Sequence, residues 1–328
     1  MNFLKNKSVL ITGGTGSFGK AFVSRLLKED QISKLVIFSR DELKQFEMAE
    51  TIKSSKVRFF LGDVRDYQRL LQATDGIDVI VHAAAMKQIP AAEYNPMEAI
   101  KTNILGAENI VNAAIRNGVQ RVLALSTDKA ANPANLYGAT KLCSDRLMVA
   151  GNTLAGKNET RFACVRYGNV LGSRGSVIPF FLEKAKSGSI PITDERMTRF
   201  WLTIEQGVQF VLDSLERMHG GEIFVPKIPS FKVTDVARVV CPGVPTHIIG
   251  IRPGEKLHEV MIAEDDSYNT VESEDYYAVL SPTLKASGIY DSKSISVDEG
   301  FRFSSDNNKF WHTDETFLTT LKNSGILK

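Results

Sequence analysis

The sequence predicts an α/β protein built on a doubly wound parallel sheet, followed by a smaller lobe. Three observations predict it. Short apolar strands alternate with amphipathic, helix-length stretches through residues 1–171. Those strands lack polar alternation, as expected when both faces of a sheet are covered. A glycine-rich turn joins the first strand to the first helix.

The elements read as follows. Residues 8–12 (Ser-Val-Leu-Ile-Thr) form the first strand. Residues 18–29 have helical periodicity, with Phe18, Phe22, Leu26 and Leu27 on one side. Leu35 to Phe38, Val57 to Leu61 and Val79 to Val81 are the next buried strands, with helical stretches at roughly 41–53 and 66–73 between them. Residues 97–117 read as one longer helix that ends at Asn117-Gly118. Arg121 to Ser126 is the fifth strand, residues 137–151 a helix, and Phe162 to Tyr167 the sixth strand. Beyond about residue 172 the pattern is irregular, with Pro179, Pro191, Pro226, Pro229, Pro242, Pro245 and Pro253 interrupting short elements. Residues 172–328 are therefore expected to form mainly a second lobe, partly interleaved with the first. No internal repeat or low-complexity tract is visible.

A chain of 328 residues, 43% of them hydrophobic, can build one large domain or two small ones. Its 40 basic and 38 acidic residues are interspersed and leave a net charge of +2. No basic cluster marks a nucleic-acid or membrane-surface binder. The three cysteines, Cys143, Cys164 and Cys241, have no metal-site spacing. Cys143, in a helical pattern, and Cys164, in an apolar strand, read as small core residues, which suits a reducing compartment. The opening MNFLKNKSVLITGG contains no apolar stretch of signal-peptide length. No apolar run approaches the roughly 20 residues of a membrane-spanning helix. A cytoplasmic location is expected.

Gly13, Gly16 and Gly19 are spaced G-x-x-G-x-x-G within Thr12-Gly13-Gly14-Thr15-Gly16-Ser17-Phe18-Gly19. Glycine allows the turn and lets backbone approach a pyrophosphate. The following helix start offers free N–H groups and the positive end of its dipole. A strand before and a helix after are the context that makes this a Rossmann-type dinucleotide motif. The candidate cofactor residues here are Gly13, Thr15, Gly16, Ser17, Phe18 and Gly19. An NAD site usually carries an acid at the tip of the second strand. Here the tip is Ser39, then Arg40, with Lys44 one helical turn on. These three are expected to cradle a 2′-phosphate, favouring NADP, although Asp41 lies among them. Asp63, followed by Val64, has two readings: an adenine contact or a helix N-cap. Ala83, with Ala84 and Ala85, either lets backbone lie against the dinucleotide or simply packs closely.

The fifth strand ends in Ser126-Thr127-Asp128-Lys129, and Tyr137 and Lys141 follow as Tyr-x-x-x-Lys. On a helix that spacing puts both side chains on one face. An ammonium near the phenol is expected to lower the tyrosine pKa from its usual value of about 10. The phenolate can then take a proton from an alcohol while hydride leaves for nicotinamide.

Six stretches carry a resemblance: TGGTGSFG (12–19), FSRDELKQ (38–45), VHAAAMKQIPAAEYNP (81–96), LSTDKAANPANLYGATK (125–141), VRYGNVLGSRGSVIPFF (165–181) and RPGEKLHE (252–259). With them the chain resembles the extended short-chain dehydrogenases/reductases that act on nucleotide sugars. More narrowly, it is similar to the inverting UDP-N-acetylglucosamine 4,6-dehydratases that open pseudaminic acid biosynthesis. Retaining dehydratases carry Thr-Asp-Glu where this chain has Thr127-Asp128-Lys129. The resemblance implies a UDP-sugar substrate and an NADP that stays bound and is regenerated in each turnover. It implies that Lys129 removes the C5 proton and that Asp128 protonates the departing 6-hydroxyl; Thr127, Tyr137 and Lys141 complete the catalytic set. As a base Lys129 must be neutral, and desolvation or the neighbouring Lys87 and Lys141 would depress its pKa. The short, soluble form is expected, because membrane-anchored relatives carry an N-terminal extension. A homo-oligomer is expected by analogy.

Candidate substrate contacts are Lys87, which also borders the cofactor region, and Asn169, Arg199, Arg252 and Glu255. An arginine fork suits a diphosphate, and Glu255 can accept from a hydroxyl. Each also reads as an ordinary surface charge or local ion pair. His82 and His258 read as packing or capping residues. The competing functions are a nucleotide-sugar epimerase, against which Asp128-Lys129 argues, and a dehydratase with added C5-epimerase activity for capsule sugars. Some enzymes of the latter sort lack the tyrosine that Tyr137 supplies. A non-catalytic NADP-sensing module would have lost Tyr137 and Lys141.

Overall fold

The computed structural model describes residues 3–172, 176–290, 292 and 294–327. Residues 173–175, inside the VRYGNVLGSRGSVIPFF stretch, lie outside the described part.

The first half alternates strand and helix. Strands β1 (Ser8–Thr12), β2 (Lys34–Ser39), β3 (Val57–Leu61), β4 (Val79–His82), β5 (Arg121–Leu125) and β6 (Arg161–Val165) are almost wholly apolar on the buried side. They pair in parallel in the order 3-2-1-4-5-6. The order reverses between β1 and β4, and such a switch point opens a crevice at the carboxyl ends of the strands. Helices α1 (Ser17–Glu29), α2 (Glu42–Thr51), α3 (Tyr67–Ala73), α4 (Ile89–Tyr94), α5 (Pro96–Ile100), α6 (Gly106–Arg116) and α7 (Leu136–Leu154) accompany them.

Two expectations change here. The helix expected over 97–117 is interrupted by a π-turn at Lys101–Leu105, between α5 and α6. A 3.6-residue pattern does not register an i→i+5 turn. Cys143 is exposed rather than core. The face that α7 buries carries Tyr137, Lys141, Ser144, Asp145 and Met148, and Cys143 points away from it.

The second half returns to the main sheet. Strands β7 (Asn169–Val170), β8 (Ile190–Ile192), β9 (Thr198–Leu202), β10 (Glu222–Pro226), β11 (Ser230–Lys232), β12 (Thr246–Ile248), β13 (Val260–Ile262), β14 (Thr270–Glu272), β15 (Tyr276–Leu280), β16 (Ile295–Ser296) and β17 (Phe303–Ser304) lie there. β10 joins β6 in parallel, and β15, β14 and β16 extend the sheet antiparallel to ten strands. The other strands make small sheets: β11-β9-β7, β12-β8 and β13-β17.

Helices α8 (Val177–Ala185), α9 (Ile204–Arg217), α10 (Val233–Val240), α11 (Pro282–Ala286) and α12 (Asp314–Asn323) complete the chain. One large core surrounds the main sheet, and a second gathers Ile178, Phe181, Trp201, Phe231, Val236 and Phe317. Phe317 closes this second core, with its ring 4.6 Å from that of Phe231 and 5.8 Å from that of Trp201. Among the described residues no helix is long and apolar enough to cross a membrane. Phe317→Ala is expected to destabilise the protein by about 3–5 kcal/mol through loss of buried area and a residual cavity; urea unfolding of the variant beside the parent measures it.

Candidate active site

A cleft of about 720 Å³ runs from the glycine turn, past the ends of β4 and β5, to the second lobe. Gly13 has φ +66° and its N–H donates to the Phe38 carbonyl at 2.9 Å. A Cβ at Gly13 would lie 2.9 Å from the Ala84 nitrogen, so the turn is packed directly on the Ala83–Ala84 backbone. Helix α1 begins at Gly16 without a side-chain cap and without an acid in its first turn. Its free N–H groups and dipole therefore suit an anion. Thr15, Gly16, Ser17, Phe18 and Gly19 line the cleft at this point.

At the tip of β2, Gln45 holds Ser39, donating to its carbonyl at 3.1 Å and its Oγ at 3.0 Å. Arg40 is exposed, with one nitrogen 3.5 Å from Asp63. Lys44 bonds Asp41, which also caps α2. All three expected residues line the cleft, as do Val64, Ala83 and Lys87. Asp63 does not, and it does not cap α3 either. The cap is Asp66, while the Asp63 carboxylate is engaged by the Arg65 guanidinium at 2.7 Å and the Arg65 N–H at 3.0 Å.

Beyond β5, Thr127 opens a 3₁₀ turn over Asp128–Ala130. The Thr127 hydroxyl donates to Asp128 Oδ1 at 2.9 Å, and Lys129 Nζ donates to the same oxygen at 2.9 Å. On its other side Lys129 Nζ lies 3.3 Å from Glu259 Oε1. Asn135 caps α7 by accepting from the Gly138 N–H at 2.8 Å, and its own amide donates to the Gly254 carbonyl at 2.8 Å. A Cβ at Gly138 would sit 2.2 Å from the Lys129 carbonyl oxygen. Only glycine lets α7 lie flat on the catalytic turn, which presents Tyr137 and Lys141 to the cleft beside Thr127 and Lys129. The π-turn adds a clamp. Asn103 accepts from the Met86 N–H at 2.8 Å and donates to Thr140 Oγ1 at 2.9 Å, tying the segment before Lys87 to α7.

The charge states differ from expectation. Burial pushes the Tyr137 phenol up to about 12, against the opposing influence of Lys129 and Thr127; it is not lowered. Burial also pushes Lys141 down, with Asp145 opposing. Burial works against the Lys129 charge too, but Asp128 and Glu259 outweigh it and hold this ammonium above the ordinary lysine range. Lys129 is thus a paired cation. The groups that decide its charge are two carboxylates, not Lys87 and Lys141. Burial pushes the Asp128 carboxyl up, and its Oδ2 is buried without a partner.

Asn169 on β7, and Arg199, Arg252 and Glu255 further along the chain, all line the cleft. Arg199 is not a free fork for a diphosphate. Its guanidinium donates to the carbonyls of Thr198 (2.7 Å), Lys256 (3.0 Å) and Leu257 (3.1 Å), which the folding of that segment leaves facing it. Arg252 and Glu255 pair with each other at the rim. His258 bonds Thr198 Oγ1 and His82 bonds Thr12 Oγ1, both at 2.8 Å. Glu259, Lys256 and Gly138 were not singled out in the sequence. Gly138 and Glu259 lie within the resembling stretches 125–141 and 252–259, yet no local spacing marks either.

The profile of the family described as "Polysaccharide biosynthesis protein" matches residues 9–281. An inverting UDP-N-acetylglucosamine 4,6-dehydratase of Campylobacter jejuni subsp. jejuni is 54% identical, over 97% of this chain and 98% of its own. A UDP-glucose 4-epimerase of Rickettsia canadensis is 43% identical, over 84% of this chain and 83% of its own. The crystal structure of Pen from Bacillus thuringiensis superposes with a TM-score of 0.91 at 36% identity, covering 99% of this chain and 100% of that one. On these similarities and on its fold, the chain belongs to the polysaccharide biosynthesis protein family, an extended short-chain dehydrogenase/reductase alongside the inverting UDP-N-acetylglucosamine 4,6-dehydratases.

Proposed function

We propose that the protein is an NADP-dependent, inverting UDP-N-acetylglucosamine 4,6-dehydratase whose product is UDP-2-acetamido-2,6-dideoxy-β-L-arabino-hexos-4-ulose. The observation that carries the reading is the Asp128–Lys129 pair, bonded at 2.9 Å beside Tyr137 at the carboxyl end of β5. The 54% identity to a protein of that name supports it. The reading brings with it a role in pseudaminic acid biosynthesis and a cytoplasmic homo-oligomer, as the resemblance implies.

The glycine turn, the uncapped start of α1 and the β2 tip fit a dinucleotide. NADP held there would supply the hydride-transfer chemistry that the reaction needs at C4 and C6. Ser39 at the tip, with no carboxylate in its place, and the exposed Arg40 favour the 2′-phosphate.

The chain's own residues move the protons. Tyr137 takes the proton of the 4-hydroxyl. It can accept that proton only as the phenolate; burial, which pushes the phenol up to about 12, opposes that form, while the Lys129 ammonium and the hydrogen bond with Thr127 favour it. The ketone at C4 acidifies the C5 hydrogen. Lys129 removes that proton, the C5=C6 bond forms, and the C6–O bond breaks as Asp128 gives its proton to the hydroxyl, releasing water. This step needs a neutral Lys129 and a protonated Asp128. The ion pair in the structure is one proton hop from that state, along a 2.9 Å hydrogen bond. Burial pushes Asp128 in the direction of the hop. The unpartnered Asp128 Oδ2 is free to carry the proton. After elimination the pair is again ammonium and carboxylate. Inversion follows when C5 is reprotonated on the opposite face.

The epimerase reading is kept by the 43% identity to a UDP-glucose 4-epimerase. An epimerase needs Tyr137 and Lys141 but no acid–base pair for C5 and O6, so one experiment separates the two. Incubated with UDP-N-acetylglucosamine in deuterated water without added cofactor, the purified protein is expected to yield a C6 methyl proton signal, deuterium at C5 and L-arabino couplings. A 4-epimer without a methyl signal supports the epimerase instead. Lys129→Ala is expected to lose the methyl signal by at least about a hundredfold in rate, while added sugar still reduces the bound cofactor; Tyr137→Phe is expected to lose both. Arg40→Ala is expected to weaken NADP by about tenfold or more (about 1.4 kcal/mol) and NAD little, read by calorimetric titration of the cofactor-stripped protein.

A further inference from the structure

We propose that Glu259 is a positioning residue: its carboxylate grips Lys129 and Arg199 together and fixes where the base stands. The proposal rests on the reading of Lys129 as the base.

The geometry is specific. Glu259 is 2% exposed yet lines the cleft. Its Oε1 lies 3.3 Å from Lys129 Nζ and 3.6 Å from Arg199 Nε, while Oε2 is buried without a hydrogen-bond partner. The backbone of Glu259 is locked on both sides. Its N–H donates to Ser305 Oγ at 2.9 Å, and its carbonyl accepts from the Ser305 N–H at 2.8 Å. Ser305 Oγ in turn lies 2.7 Å from Thr198 Oγ1, beside Arg199 on β9. The backbone from which the carboxylate extends is thus fixed beside the lysine.

Electrostatics follows from this placement. The charged or titratable groups facing Lys129 are Asp128 on its own turn, Tyr137 from α7, Arg199 from β9, and Glu259 and Lys256 from the segment before β13. Glu259 is itself held below the ordinary carboxylate range. Burial opposes this, but Lys129, Arg199 and Lys256 outweigh it. Asp128 is pushed the other way by burial. The two carboxylates therefore divide the work: Glu259 stays the permanent anion that anchors the ammonium, and Asp128 is the one that exchanges a proton with it. A neutral Lys129 requires that a proton leave; a carboxylate that always stays charged directs it to Asp128, where the elimination uses it.

The test is a pH titration of the holoenzyme carrying ε-¹³C-lysine, with the Lys129 signal assigned by its loss in Lys129→Arg. In the parent the Lys129 signal is expected to titrate above the other lysines. In Glu259→Gln it is expected to titrate lower by about one to three pH units, since an opposite charge has been removed. The active tautomer, neutral Lys129 with protonated Asp128, carries the same proton as the ion pair, and raising the pH through the Lys129 titration removes it, so the falling limb of the dehydration rate is expected to move to lower pH by a like amount. In Glu259→Asp, which keeps the charge but shortens its reach, the limb is expected to return towards the parent; Glu259→Met, neutral and of like length, serves for the titration if Glu259→Gln does not fold. An unchanged Lys129 titration in the neutral variant overturns the proposal, as does a rate loss that is uniform with pH. The lysine signal needs no turnover: if it shifts while UDP-N-acetylglucosamine stays intact, the dehydratase reading fails and the positioning role stands.

Discussion

The Lys129 ammonium lies between two carboxylates that water scarcely reaches, Asp128 at 1% and Glu259 at 2% exposure. Taking a charge out of water costs several kcal/mol, so each must be answered by a partner in good geometry. Asp128 comes from the turn after β5 and Glu259 from the segment before β13, while Arg199 on β9 completes the cluster. One charge network thus joins the first half of the chain to the second at the cleft. Leaving a buried member unpaired costs about 3–5 kcal/mol, which holds these segments in register around the cleft. The cleft's shape and its proton inventory have the same origin.

A second buried pair stands behind the first and braces the catalytic helix. Asp145 lies on the face of α7 that carries Tyr137 and Lys141. It accepts from Ser126 Oγ at 2.7 Å and pairs with Arg166 at 3.2 Å. Arg166 donates to the Met261 carbonyl at 2.8 Å and reaches Asp266 at 3.6 Å. α7 is thereby tied to β5, to the residue after β6 and to the segment around β13, so Tyr137 and Lys141 are held by charges as well as by apolar packing. Asp145 also works against the burial that pushes Lys141 down.

Small residues do the rest of the positioning. The Gly13 turn lies on the Ala83–Ala84 backbone, and Gly138 lies on the Lys129 carbonyl. Both contacts bring backbone to backbone, the first shaping the dinucleotide end of the cleft and the second the chemical end. The two readings offered for Ala83–Ala85 are one physical fact, since a backbone that packs closely on the glycine turn is also the one that borders the cleft.

The sequence by itself determined the parallel strands β1 to β6, because each is a local apolar run closed by turn residues. It determined the glycine turn, because the backbone conformation needed there is local. It determined the common face of Tyr137 and Lys141, because helical spacing requires it. The tertiary structure decided what depends on distant neighbours. Strands β10 and β14 to β16 join the main sheet by pairings that leave no local periodicity. Asp63 is engaged by Arg65, and Arg199 by the carbonyls around it. Above all, the charges of Lys129 and Tyr137 were not legible in their motifs. A pKa is set by burial and by the charges that other segments deliver. Here one of the two carboxylates that decide the Lys129 charge, Glu259, arrives from the far half of the chain.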